Sequence, residues 1–147
     1  MSAFLLALNA SMRRLNAACL VATICVGSYY AFFEPPYLTY ENLPFPVLTP
    51  VVHDGEPVLL MVGRCNNDDK TRIYGISHRL VGEHLTILLS AVPTSIEPGC
   101  TTAISAVNVI PKGVPPGTYH IEGYAEVQGT LRTSSVSWRS ATFQVVR

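Results

Sequence analysis

Charge is what this sequence has least of. Only 14% of its 147 residues are Asp, Glu, Lys or Arg, against roughly 25% in ordinary soluble domains. Ten acidic and ten basic residues cancel. A nucleic-acid binder needs a basic surface to neutralise phosphates, so this balance argues against nucleic acid as a partner. Catalytic signatures are missing too: no GxSxG, HExxH, P-loop or GxGxxG occurs. Asp54, Asp68 and Asp69 fall in turn-forming clusters. Glu122 and Glu126, on one strand face, stand about 13 Å apart at the usual rise, too far for the ~5–9.5 Å of a glycosidase pair. The chain reads as a non-enzyme with no cofactor. Disorder is also disfavoured, because hydrophobic residues reach 48% and net charge is zero. The length suits one domain of ordinary size.

What the chain has instead is a long uncharged run. Residues 15–33 read LNAACLVATICVGSYYAFF. As a helix they cover about 28 Å, close to the ~30 Å hydrocarbon core of a bilayer. Arg13 and Arg14 stand immediately before the run, and Tyr29, Tyr30, Phe32 and Phe33 crowd its far end like an interfacial aromatic belt. Glu34-Pro35-Pro36 then stops the helix. The expectation is a transmembrane helix over 15–33 with lipid as its partner. Residues 1–14 form a cytoplasmic tail, and the rest lies in the periplasm or outside the cell. A cleaved signal peptide is the alternative, but the arginines sit deep in the chain and no A-x-A site follows the run. A lipoprotein reading of Cys19 or Cys25 fails on the residues that precede them, and both read as small apolar helix residues. The apolar stretch before the arginines either extends the helix or lies along the membrane surface.

Residues 34–44 begin a proline-rich segment, with prolines at 35, 36, 44, 46 and 50. It reads as an extended spacer whose end merges into a first strand. From 45 to 147 the chain alternates β-branched and aromatic runs with turn clusters, which predicts an antiparallel β-sandwich. The expected strands are 46–53, 57–65, 72–80, 84–92, 102–110, 117–128 and 131–146. The sixth is the clearest. Tyr119, Ile121, Gly123, Ala125 and Val127 share one face, and His120, Glu122, Tyr124, Glu126 and Gln128 the other. In the seventh, Val136 and Trp138 occupy even positions while Phe143 and Val145 are odd, so a bulge or break is expected near 139–141.

Seven strands in about 100 residues, with Pro116-Gly117-Thr118-Tyr119 as a turn into a corner tyrosine, resemble the immunoglobulin and fibronectin type III class. The departures are plain: the sixth strand carries no cysteine, and Trp138 lies on the seventh strand rather than the third. The resemblance implies an architecture and no function. It also implies that the second and fifth strands are antiparallel neighbours, which brings Cys65 and Cys100 together. An oxidising compartment permits that disulfide, and its loop of about 35 residues corresponds to about 3–4 kcal/mol in the chain-entropy model.

Metal sites are not expected. His78 and His84 flank a turn near Glu83, but histidines at solvated strand ends are commonplace, and Asn66-Asn67-Asp68-Asp69 lacks the glycine and distal glutamate of a calcium loop. What remains is a candidate binding face of His120, Glu122, Tyr124 and Glu126, with Arg132 and Arg139 on a neighbouring strand. The expected role is a membrane-anchored interaction module, or an accessory subunit of a membrane assembly, with a protein partner. The layout of short tail, single span and small exported domain also resembles small phage or prophage membrane proteins, including some holins with a periplasmic sensing domain. That likeness implies a membrane-active regulator. A carbohydrate-binding sandwich using Tyr124 or Trp138, or an enzyme, is the third reading.

Overall fold

Helix α1 runs from Ser2 to Phe32, so the apolar tail continues the helix through Arg13 and Arg14. The computed structural model describes residues 2–33, 36–128 and 133–147, with side chains from Met12 onward except Asn108. Thr23 Oγ1 donates back to the Cys19 carbonyl at 2.9 Å, which keeps its hydroxyl satisfied inside the helix. Over Met12–Phe32 the helix is long and apolar enough to cross a membrane. None of its described side chains is buried.

The β unit comprises residues 36–127 and 133–147. Its strands are β1 Leu38–Glu41, β2 Val51–His53, β3 Pro57–Asn66, β4 Arg72–Gly82, β5 Thr86–Ile96, β6 Gly99–Val109, β7 Gly117–Gln128, β8 Thr133–Arg139 and β9 Phe143–Val146. One sheet has the order β1-β3-β6. The other has the order β2-β9-β7-β4-β5, with β8 also paired to β7. The stretch read as spacer therefore contains a strand. Leu38 is fully buried and Tyr40 packs on the core, so burial on a partner outweighs the prolines around it. Asn42, with φ 59°, turns the chain out of β1, a conformation asparagine tolerates better than most residues. The chain then changes sheets: Phe45 bridges to Ser140, and β2 runs parallel to β9.

The core lies between the sheets. Val58, Leu60 and Val62 of β3 and Val107 of β6 meet Leu80, Ile121, Trp138, Phe143 and Val145 from the other sheet. Strand β7 buries the odd positions 119–127 and leaves the even ones at the surface, as its alternation predicts. The change of parity in the last segment is a true break. β8 ends at Arg139 and β9 begins at Phe143. Ser140 fills the gap, its N–H donating to the Ile121 carbonyl and its Oγ accepting the Ile121 N–H, at 2.8 and 2.9 Å. Cys65 and Cys100 lie directly opposite on β3 and β6 and form a disulfide.

Candidate functional site

The outward residues of β7 stand in rows that continue across the sheet. Arg79 of β4 lies opposite Glu122, and Ser77 opposite Tyr124. On the far side of β4, Leu88 of β5 lies opposite Arg79. Strand β8 covers the other flank of β7, where the Ser140–Ile121 bonds place Arg139 on the row of Glu122. The rows form the floor of an open cleft of about 660 Å³, walled at one end by Leu43 and Pro44. Leu88 is 83% exposed and Tyr124 45% exposed.

Electrostatics fixes the centre of this floor. Arg79 Nε donates to Glu122 Oε2 at 2.6 Å, and His120 Nε2 stands 3.3 Å from Glu122 Oε1. Partial burial opposes ionisation of Glu122, but the His120 and Arg79 contacts outweigh it and hold the carboxyl below its usual range. It is therefore an ionised acceptor near neutral pH, with no proton to give. The Tyr124 hydroxyl donates to Glu126 Oε1 at 3.4 Å. Arg139, by contrast, makes no ion pair with a described residue.

Behind the floor lies an aromatic cluster. Trp138 sits flat on β7 at Gly123, with ring centroids 5.1 Å from Phe45, 5.4 Å from His78 and 6.3 Å from Tyr40. Burial drives the Tyr40 hydroxyl up to about 12, only partly offset by Trp138 and the Arg64 charge. Burial also lowers the His78 pKa. Trp138 is 5% exposed, so it offers no stacking surface for a sugar.

Of the residues expected from sequence, the structure brings together His120, Glu122, Tyr124, Glu126 and Arg139. Arg132 lies outside the described residues. Arg79, Leu88, Leu43 and Pro44 were not anticipated. The alternation of Ser77 and Arg79 with Ile76, His78 and Leu80 was the available signal, since it sets Arg79 on an outward face. His78 points into the core and His84 stands on an exposed turn beside Glu83, so they form no pair. The 66–69 turn is held from within. Asn66 donates to the carbonyls of Lys70 and Ile96 at 2.8 and 3.0 Å, and Asp68 pairs with Arg72, which holds its carboxyl low. Glu41 approaches the Cys65 sulfur at 3.3 Å, but both sulfurs belong to the disulfide. On α1, Tyr29 and Tyr30 meet edge to face at 5.5 Å, and Phe32 and Phe33 are exposed. Arg13 and Arg14 are exposed one turn inside the apolar span.

No protein-family model and no curated protein matches this chain. Among solved structures it is similar to an alkylpurine DNA glycosylase of Pseudomonas fluorescens bound to DNA containing an abasic site analog. The identity is 11% and the TM-score 0.43, over 76% of this chain and 31% of that one. This chain spans about a third of that structure's length, and a likeness of this size says nothing about binding or chemistry.

Proposed function

We propose that this chain is a single-pass membrane protein that holds an immunoglobulin-like β-sandwich outside the cytoplasm as a protein-interaction module, acting by binding and not by catalysis. The anchor reading is supported by the length and composition of Met12–Phe32 and by the absence of buried side chains along it. Arg13 and Arg14 at the N-terminal end of that span favour a cytoplasmic N-terminus. A disulfide suits an oxidising compartment. The sandwich reading is supported by β1 and β2 joining opposite sheets, by the parallel β2–β9 pair, and by Tyr119, whose hydroxyl donates to the Pro115 carbonyl at 2.9 Å as a corner tyrosine does.

The observation that carries the interaction role is the cleft. It exposes Leu88 and Tyr124 beside Arg139, which makes no ion pair among the described residues, over a floor where Arg79 and Glu122 are paired. Large apolar side chains gathered on a concave polar face mark binding surfaces. A photo-cross-linking residue placed at position 88 or 124 of the full chain, in its native membrane, is expected to capture a second protein. The same residue at Lys112, an exposed turn position, is not. Equal capture at all three positions, or none at 88 and 124, contradicts the role.

A further inference from the structure

The two sheets end on the same side of the β unit, and the two ends differ in how far they are protected. Strand β6 closes the three-stranded sheet and β5 the other. They face one another across a small cavity lined by Val92 and Thr94 of β5 and by Ser105, Ala106 and Val107 of β6. From Leu85 to Ile110 the sole charged residue is Glu97, in the connection between them. Natural edge strands are usually blunted by lysine, proline, a bulge or a covering segment. Strand β5 has two such devices, a register shift against β4 between Ile76 and His78 and a proline at 93. Strand β6 has neither a charge nor a proline, and its register against β3 is unbroken from Gly99 to Val107. Among the described residues nothing pairs with its outer edge.

The side chains tell the same story. In β6 the residues from Gly99 to Ile104 are all exposed, on both faces of the strand. Ala103 and Ser105 lie on the face that Val62 and Leu60 bury in β3, yet Ala103 is exposed and Ser105 only half-buried. Opposite them, Ile87 and Leu89 are half-buried and Val92 is 41% exposed. The core is therefore open along this side, because a sheet three strands wide faces a wider one.

We propose that a second copy of this chain closes it, by antiparallel pairing of β6 with β6 about a two-fold axis. Self-pairing is favoured over a foreign strand by the chemistry of the edge. A two-fold sets the strand against its own reversed copy, with only the residue on the axis facing its symmetry mate; a charge there would face its like, and a strand without charges pairs with itself at no such cost. An edge with no charge also offers nothing to select a partner of opposite sign. The same axis brings the two β5 edges toward each other, so one contact covers all four sheet ends and encloses Val92, Ala103 and Ser105 of both copies. Pairing along the full strand centres the axis on Ile104, midway between Gly99 and Val109 and 66% exposed. The paired strand β6 itself lines no part of the outward cleft.

The test is the mass of the full chain in detergent micelles, with detergent subtracted, for the wild type and two variants at the axis. Ile104→Lys and Ile104→Glu place like charges face to face at an already exposed position, so folding tolerates them. The wild type is expected at twice the chain mass and each variant at the single mass. An equimolar mixture of the variants is expected to return to the double mass, because Lys then faces Glu. A monomeric wild type, or variants that remain dimeric, overturns the proposal; dimeric variants would place the association on the helix or the cleft. A mixture that stays monomeric overturns the centring on Ile104. Loss of the cross-links at positions 88 and 124 would bear on the cleft alone.

Discussion

Trp138 lies flat against β7 because residue 123 has no side chain. A methyl group built on Gly123 overlaps the indole, whose ring is also packed against Phe45 and His78. Gly123→Ala is expected to destabilise the β unit by about 1–3 kcal/mol, the usual cost of overpacking. A lower denaturant midpoint checks this, and a wild-type midpoint contradicts it. His78, against the same ring, adds a pH dependence. Burial lowers its pKa in the folded state, so below its ordinary value of about 6.5 the unfolded chain binds the proton more readily. The stability it supports is complete above that value and is lost as pH falls through it toward the lowered folded value. Thermal midpoints of the wild type are expected to drop on acidification from pH 7 to 5.5 by a step that His78→Phe lacks. Equal drops in both chains would contradict the assignment. At this scale the sequence was half legible. Alternation along β7 placed Tyr119 and Ile121 inward and Tyr124 outward, as found. Alternation along β4 also sets Arg79 outward, but its place opposite Glu122 and Leu88 comes from the pairing of β4 with β7 and β5, which no local period encodes.

Among the elements, the disulfide carries the clearest consequence. It ties the end of β3 to the start of β6, and β6 has no other neighbour among the described strands. Replacing both cysteines (Cys65→Ala with Cys100→Ala) is expected to cost about 3–4 kcal/mol, the chain-entropy value for a loop of this length. Denaturant titration in the absence of reductant reads it. With reductant present the wild type should fall to the level of the double variant, and a wild type indifferent to reductant would contradict the bond. The strands with strong alternation or dense β-branching were found near their expected places. The break between β8 and β9 was legible because buried positions change from Trp138 to Phe143, from even to odd, which an unbroken strand cannot accommodate. Strand β1 was not legible. Four residues beside a run of prolines show no period, and only the pairing of Leu38 with Asn66 and Tyr40 with Arg64 makes them a strand.

For the whole molecule, we propose that an apolar helix in the membrane is joined to a β unit on its far side. The apolar helix was legible because length and apolar composition are read directly from the sequence of Met12–Phe32. The direction of the chain across the membrane rests on two arginines. The most direct test is labelling of single cysteines by a membrane-impermeant maleimide added outside an intact cytoplasmic membrane. The chain used carries Cys19→Ala and Cys25→Ala, with a reporter at Lys112→Cys in one version and Ser2→Cys in the other. Position 112 is expected to be labelled without detergent and position 2 only after detergent is added. Labelling of position 112 only after detergent would contradict the proposal.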